Sequence, residues 1–401
     1  MVAVAAVLLT GTTVTANEPL NEPGTYLVEV GTGRTIPLGI SALVAWSPDS
    51  QTAAVADMIA ESPEPRLRLL QVQDGSSRTV AIAQKGEVNL LRWSPDGQKL
   101  ALTLTRMGQD PGPSLLVVDA ATATIRQLVR GSIGEMAWTP DSTAITAVTL
   151  EEAGGSIVTF DAVSGEIRQT VTDARDANCQ RGLAWSPDGT YLAYGGPGLR
   201  EACGDVGNWG VWTWEPESGT TRHLFHGAAD TPQWLNNGDI VAVVSEPQGE
   251  TIPPLSIVQL PPAGGQPAII VRNVPRMFPQ PPRLAQVVGD NLLFPISTCE
   301  QGEAYLWSAG GREAGRRTPP GVYAYRPTLG PDGASLAYVR VADASDLIVA
   351  GPGQEPKVLL SSEAGLQVGT AGSWDAGGDW SPDGAWIAIE VTSEQFRDCA
   401  E

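Results

Sequence analysis

A short motif, Trp-(Ser/Thr)-Pro-Asp, recurs along this chain of 401 residues at a nearly constant spacing. It begins at Trp46, Trp93, Trp138, Trp185 and Trp380. A degenerate copy carries Trp234, and Leu329 takes the tryptophan's place in the segment Leu-Gly-Pro-Asp-Gly. From Trp46 to Trp234 the copies lie 47, 45, 47 and 49 residues apart, but Leu329 follows Trp234 by 95 residues. This double interval indicates one further, hidden copy.

A small apolar segment downstream of each motif locates the hidden copy. It begins seven residues after the anchor, as at Leu100, Leu192 and Leu336. The segment Leu292-Leu293-Phe294 matches it and places the missing anchor near Ala285, which makes eight anchors. Each unit contains four short alternating segments, a to d, joined by turn residues. A period of about 40 to 50 residues with four strands is typical of a β-propeller blade.

The motif residues have a structural explanation. Proline presets φ for a turn, the Asp-Gly pair suits a tight hairpin, and a tryptophan is large enough to fill the wedge between blades. An aspartate in a turn commonly accepts nearby backbone N–H groups. We therefore assign a structural role to Trp46, Asp49, Trp93, Asp96, Trp138, Asp141, Trp185, Asp188, Asp332, Trp380 and Asp383. A ring of aspartates that binds cations along one face is the alternative.

With these motifs the sequence resembles the TolB-like, WD-repeat-like propellers of the Trp-Ser-Pro-Asp-Gly type, from about Thr25 to Val391. The resemblance implies an interaction module outside the cytoplasm, or the gating domain of a prolyl-oligopeptidase-like serine peptidase. The sequence differs from TolB in having more than six anchors and no α/β segment ahead of the repeats. The partners of TolB are therefore not carried over.

The two ends of the sequence complement each other. Residues 24–38 contain two strand-like segments that match c and d, and residues 378–391 contain two that match a and b. We therefore expect an all-β fold, a propeller of eight four-stranded antiparallel blades, whose last blade joins N-terminal strands c and d to C-terminal strands a and b. A chain whose strands c and d continue beyond Glu401 would give seven blades instead.

The first residues favour export. Val2–Leu9 is an apolar run too short to span a bilayer, and Val14-Thr15-Ala16 fits a signal-peptidase site. A basic segment is missing ahead of the run, which fits a start inside a longer signal. We therefore expect a signal peptide at 1–16, a linker at 17–24 and a propeller at 25–401. The expected location is extracytoplasmic, periplasmic or secreted, with no transmembrane segment.

Four cysteines agree with an oxidising compartment. Cys179 falls in a d-to-a connection and Cys203 in the b-to-c loop of the same unit, and both connections leave an antiparallel blade on one face. A Cys179–Cys203 disulfide is therefore the first choice, worth about 3–4 kcal/mol in the chain-entropy model. Pairing of Cys299 with Cys399, in loops two blades apart, is the weaker expectation.

The long connections between strands b and c suggest where binding occurs, because loops on one face of a repeat ring can vary without disturbing the blades. This face is rich in acids, and its candidate binding residues are Asp57, Glu61, Glu64, Glu201, Asp205, Glu300 and Glu303. They favour a cationic or Arg-rich ligand; the alternative is a solvated rim. The net charge of −20 excludes a phosphate backbone as partner.

Other candidate sites are weak. Trp209, Trp212 and Trp214 could stack on sugars, but Trp212 and Trp214 share a strand face that blade packing explains. His223 and His226 form a poor metal motif. The sequence contains no nucleophile elbow and no phosphate loop.

The sequence therefore predicts a non-catalytic propeller that binds a protein or peptide partner through its b-to-c loops, as a monomer by default and without cofactor or metal. The alternatives are the propeller of a serine peptidase whose hydrolase domain is absent from this sequence, and, third, a glycan-active propeller enzyme.

Overall fold

The computed structural model describes residues 19–40, 42–57, 65–83, 86–105, 114–150, 155–171, 181–195, 210–229, 232–245, 255–274, 286–297, 302–311, 313–340, 345–370 and 380–393. These segments form eight antiparallel sheets of strands and contain no α-helix. The first strands of neighbouring sheets contact one another, so the sheets are blades of a ring. The predicted eight-bladed propeller is confirmed.

The strands follow the order a to d within each blade. The chain begins with β1 (Gly24–Glu29) and β2 (Thr35–Gly39). Blade 1 contains β3 (Ala42–Trp46), β4 (Thr52–Asp57), β5 (Leu67–Gln71) and β6 (Ser77–Val80). Blade 2 contains β7 (Glu87–Trp93), β8 (Lys99–Thr105), β9 (Ser114–Asp119) and β10 (Ile125–Val129). Blade 3 contains β11 (Ser132–Trp138), β12 (Ala144–Leu150), β13 (Ser156–Asp161) and β14 (Ile167–Val171).

Blade 4 contains β15 (Arg181–Trp185), β16 (Leu192–Gly195), β17 (Gly210–Glu215) and β18 (Thr220–His226). The first strand of blade 5 is split into β19 (Ala228–Ala229) and β20 (Gln233–Trp234), followed by β21 (Ile240–Ser245), β22 (Leu255–Leu260) and β23 (Ala268–Val274). Blade 6 contains β24 (Gln286–Val288), β25 (Asn291–Ser297), β26 (Gly302–Ser308) and β27 (Gly315–Arg316). Blade 7 contains β28 (Ala324–Leu329), β29 (Leu336–Arg340), β30 (Asp346–Ala350) and β31 (Lys357–Ser361).

Blade 8 joins the two ends of the chain. Its strands are β32 (Gln367–Thr370) and β33 (Trp386–Thr392), followed in the sheet by β1 and β2. The closing pair is β1 with β33, in register from Gly24 opposite Val391 to Glu29 opposite Trp386. The composite blade expected from the sequence is thus confirmed. Its first strand differs from the expectation, because β32 precedes the segment 378–380 and Trp380 contributes only an isolated bridge to Ile387.

Apolar side chains pack between blades rather than inside one sheet. One cluster joins Leu90 and Ala101 of blade 2 to Ile133 and Ile145 of blade 3. Another joins Leu27 and Trp386 of blade 8 to Val44 and Val55 of blade 1, which closes the ring by packing as well as by pairing. The core is therefore a series of wedges around the axis, and the stability of each blade depends on its neighbours.

Trp93, Trp138 and Trp234 each link their blade to the preceding one. The indole N–H of Trp93 donates to the carbonyl of Ala45 at 2.9 Å, and that of Trp138 donates to Arg92 at 2.9 Å. Trp234 donates to Ala184 in the same way. In each case the acceptor immediately precedes the tryptophan of the previous blade. The side chain thus fills the wedge and also satisfies a backbone carbonyl there.

Glutamines make this link where the tryptophan is missing. Val287 occupies the anchor position of blade 6, and its backbone N–H donates to Gln233 Oε1 at 2.9 Å. Leu329 is the anchor of blade 7, and its N–H and carbonyl bond the side chain of Gln286 at 2.6 and 3.1 Å. Both glutamines directly precede the anchor of the previous blade. The direction of the link is reversed, because the earlier blade now supplies the side chain.

Candidate functional site

The motif aspartates lie inside the a-to-b turns and are occupied by them. Asp49 Oδ1 accepts the hydroxyl of Ser47 at 2.6 Å and the backbone N–H of Gln51 at 3.0 Å. The hydroxyl of Ser47, and then the N–H of Gln51, hold the pKa of Asp49 below its ordinary value. The same turn bonds occur at Asp96, Asp141, Asp188 and Asp383, and Asp332 accepts the N–H groups of Ala334 and Ser335.

Two of the seven candidate binding acids lie in the described residues, and both bond neighbouring side chains. Asp57, at the end of β4, pairs with Arg68 at 3.2 Å, and Arg68 also donates to Leu38 of blade 8. Glu303 pairs with Arg316 at 2.8 Å and accepts the hydroxyl of Tyr305 at 2.7 Å. These two acids therefore support blade packing. Glu61, Glu64, Glu201, Asp205 and Glu300 lie outside the described residues, as do Cys179, Cys203, Cys299 and Cys399.

The two histidines meet on the outer strand of blade 4. Leu224 is an extra residue in the pairing of β18 with β17, so His223 and His226 project from the same side. Their ring centroids are 3.8 Å apart, and His223 also stacks on Trp212 at 3.8 Å. This ring-to-ring packing does not resemble two nitrogens converging on a metal ion. Across the described segments, no group of three His, Cys, Asp or Glu side chains is arranged to hold a metal.

The tryptophans of β17 belong to the blade. Trp214 is 3% exposed and lies edge to face with Trp185, with centroids 6.2 Å apart. Trp212 lies between Tyr194 and His223 in a stack of rings. Both side chains therefore contribute to packing, and Trp209 lies outside the described residues.

The first strands of several blades carry bulges at a similar distance from their anchors. In β11, Gly134 and Glu135 together oppose one residue of β12, and in β15 Gly182 is the extra residue, with a φ of 62°. In β28, Arg326 and Pro327 form a bulge, and Arg326 has a φ of 45°. A bulge redirects a side chain out of the sheet pattern and is common beside functional sites. Here the bulges line the channel that the first strands enclose.

A cavity of about 220 Å³ opens beside two of these bulges, between the first strands of blades 2, 3 and 4 and the turn residue Pro95 of blade 2. We call it the channel pocket. Its charged lining residues are Arg92 and Glu135, and its apolar ones include Trp93, Met136, Trp138 and Leu183. This pocket was not predicted from the sequence. The signal was present in the strand Ser132–Trp138, where the buried Ile133 and Met136 are three residues apart although one face of a strand repeats every two.

A second cavity, of about 370 Å³, lies between blades 1 and 2 beside the turns of blade 1. Its lining is mostly polar and includes Asp49, Gln71 and Arg78. Arg78 spans the gap and donates to the carbonyls of Ala120 and Ala121 in blade 2. This cavity is therefore crossed by a link between blades.

Comparisons with known proteins agree on the fold. The family model described as eukaryotic translation initiation factor eIF2A matches residues 43–195, which is less than half of the chain. No curated protein matches. A prolyl endopeptidase, from a structural and mechanistic study of two such enzymes, is similar in structure with a TM-score of 0.58 and 15% identity. That match covers 88% of this chain and 54% of the other.

The C-terminal WD40 domain of Sif2 is similar at a TM-score of 0.56 and 14% identity, covering 93% of this chain and 98% of that domain. TolB from Acinetobacter baumannii matches at a TM-score of 0.41 and 15% identity, over 68% of this chain and 62% of TolB. The chain thus spans about half to two thirds of the peptidases and TolB. The expected WD-repeat-like propeller fold is confirmed. In the described segments, no helix has the length and hydropathy needed to cross a membrane.

Proposed function

We propose that this protein is a non-catalytic propeller that binds a protein or peptide partner through the face carrying its b-to-c and d-to-a connections. The observation that carries the proposal is the contrast between the two faces. On the other face, the a-to-b and c-to-d turns are short, such as 47–51, 94–98 and 120–124. On the proposed binding face the connections include 58–66, 196–209 and 275–285.

The short-turn face is tied together by bonds between neighbouring turns. The N–H of Asp96 donates to Ser142 at 3.0 Å, and that of Asp383 donates to Ser50 at 2.9 Å. A face built in this way has little freedom to change its sequence or shape. Binding residues in repeat rings concentrate on the face with long connections, because such loops can vary without disturbing the blades.

The test compares two charge variants with equal net charge. In the first, Glu61, Glu64, Glu201 and Glu300 on the proposed binding face become glutamine. In the matched control, four exposed acids of the c-to-d turns become glutamine: Glu166, Glu217, Glu313 and Glu355. Partners are captured from an envelope extract of the source cells on the immobilised wild type and identified by mass spectrometry. We expect the first variant to lose the partner and the control to keep it. Equal capture by both variants refutes the assignment of the face.

The likeness to prolyl endopeptidases supports a second candidate, the propeller of a serine peptidase. This chain spans 54% of the matched peptidase, so a hydrolase domain would have to belong to the same protein. Labelling of the native protein with a fluorophosphonate decides between the two. The binding proposal expects no label on the polypeptide that carries this sequence, whereas a labelled serine would establish the peptidase.

The proposal includes export. Its support is the apolar run Val2–Leu9 followed by Val14-Thr15-Ala16. Fractionation of the source cells and N-terminal sequencing of the native protein test it, and the expected first residue is Asn17. Recovery of the protein from the cytosol with residues 1–16 intact would contradict export.

A further inference from the structure

The channel pocket presents a carboxylate beside apolar walls. Glu135 belongs to the bulge of β11, so its side chain leaves the pattern in which Ile133 and Met136 enter the core. Gly182 of the next blade is also a bulged residue, and as a glycine it adds no side chain to the pocket that Glu135 lines. The pocket therefore lies between neighbouring first strands, with Glu135 in its lining. Met136 and Trp138, 3% and 8% exposed, form its apolar wall.

The size and lining of this pocket limit what can enter. At about 220 Å³ it is smaller than the roughly 300–1,000 Å³ of sites for drug-sized ligands. It accommodates one side chain rather than a folded segment. Lysine and arginine combine a long apolar stem with a charged end, and such stems commonly lie along apolar surface while the charge meets a polar group.

The two charged residues of the pocket are not equivalent. Arg92 Nη1 donates to the carbonyl of Leu91 in its own strand, at 3.2 Å. A carboxylate has two oxygens with about four acceptor positions, so Glu135 can accept a ligand donor in addition to its existing contacts. The net charge of −20 also attracts cations toward the protein. The overall charge thus favours a positive ligand, and within the pocket Glu135 is the group that can accept its charge.

We infer that the channel pocket receives one lysine or arginine side chain of a bound peptide, with its stem against Met136 and Trp138 and its charge on Glu135. This inference rests on the proposed function and specifies the chemistry of the partner. It assigns the recognition of a basic residue to the channel, in addition to the contacts at the loop face.

The test uses the peptides acetyl-Gly-Xaa-Gly-amide, with arginine, lysine, norleucine or glutamate at Xaa. Binding is measured by NMR from the indole N–H signal of Trp138, which donates to Arg92 at the pocket wall. We expect the arginine and lysine peptides to bind at least tenfold more tightly than the norleucine peptide, and the glutamate peptide not to bind. Equal affinities for arginine and norleucine, or no shift of the Trp138 signal, would overturn the inference.

Variants separate the charge of Glu135 from the overall charge. E135Q should lower the affinity for the arginine peptide at least tenfold, to the level of norleucine. E166Q changes the net charge equally at an exposed turn and should leave the affinity unchanged. R92Q removes a positive charge from the pocket and should tighten the arginine peptide. Equal behaviour of E135Q and E166Q contradicts the inference.

A fold control and a separate readout complete the test. The near-ultraviolet circular dichroism of E135Q should match the wild type; if it does not, E135D, which keeps the charge, should retain the preference for arginine. The capture experiment tests the loop face, and the peptide titration tests the pocket, so either can give a negative result without the other. A protein that captures its partner through the loop face but shows no preference for arginine refutes the pocket and leaves the proposed function standing.

Discussion

Gln286 should contribute more to stability than its half-buried position suggests, because it holds blades 6 and 7 together. Its Oε1 accepts the N–H of Leu329 at 2.6 Å and the hydroxyl of Thr328 at 3.1 Å, and its Nε2 donates to the carbonyl of Leu329 at 3.1 Å. Leu329 and Thr328 are only 2% and 5% exposed, so water replaces these bonds poorly. Gln286→Leu removes all three at nearly constant volume.

The expected cost is about 2–4 kcal/mol, since each net hydrogen bond contributes about 0.5–1.5 kcal/mol and buried groups that lose a partner add to the loss. Urea unfolding followed by tryptophan fluorescence measures the total, and hydrogen exchange of the Leu329 amide measures the local effect. We expect faster exchange at Leu329 than in the wild type.

The matched control is Gln98→Leu, at an exposed position in the turn of blade 2. Its effect should stay within about 0.5 kcal/mol, as for most surface substitutions. If Q286L and Q98L destabilise equally, and the Leu329 amide exchanges at the wild-type rate in Q286L, the glutamine link is refuted.

Three further predictions concern the turns and the cysteines. Ser50 has a φ of 61°, and its hydroxyl accepts the N–H of Asp383 across the ring closure. In thermal unfolding S50A should therefore lose about 1 kcal/mol, and S50G, which relieves the backbone conformation, should be more stable than S50A. Equal stability of S50A and S50G would contradict this. The pKa of Asp188 is lowered in the folded protein, chiefly by the hydroxyl of Ser186. The stabilisation by Asp188 should therefore be complete above its unfolded pKa of about 4 and should decline as the pH falls toward its folded pKa. In urea titrations the wild type should be more stable than D188N at pH 7, and this difference should shrink below pH 4. A difference that grows on acidification would contradict the prediction. Finally, a peptide map without reductant should contain Cys179 linked to Cys203, and reduction should cost about 3–4 kcal/mol; separate, alkylatable peptides would exclude the bond.

The repeat made the fold predictable because one turn and one wedge residue recur in most blades. The hidden sixth copy was located less accurately. The offset of seven residues before Leu292 predicts the anchor near Ala285, whereas Val287 opposes Leu292 in the structure. The hairpin here needs only Gly289 and Asp290 between its strands, so the constant offset of seven residues does not apply. The strand itself is therefore predicted correctly, but the position of its anchor residue is not.

Interruptions of the first strands were harder to foresee. In blade 8, Thr370 opposes Ile389 and Trp380 opposes Ile387, so residues ten positions apart in sequence face nearby positions of β33. The sequence predicted the first strand of blade 8 next to Trp380, and β32, ten residues earlier, was therefore not predicted. The channel pocket was missed for a related reason. Its charged residues lie 43 positions apart in sequence, at Arg92 and Glu135, and only the curvature of the ring brings their strands together.

The composite eighth blade imposes an order of events on folding. Strand β1 must wait for its partner β33 until every other strand of the ring has been synthesised, since Glu29 pairs with Trp386. Blades 1 to 7 can assemble from local hairpins in the meantime, but the closing pair spans nearly the whole sequence and loop-closure entropy makes it slow. Until then the sheet edges of β1 and β32 remain open to unwanted pairing. A cell that makes this protein must protect its first strands for as long as it takes to make the last.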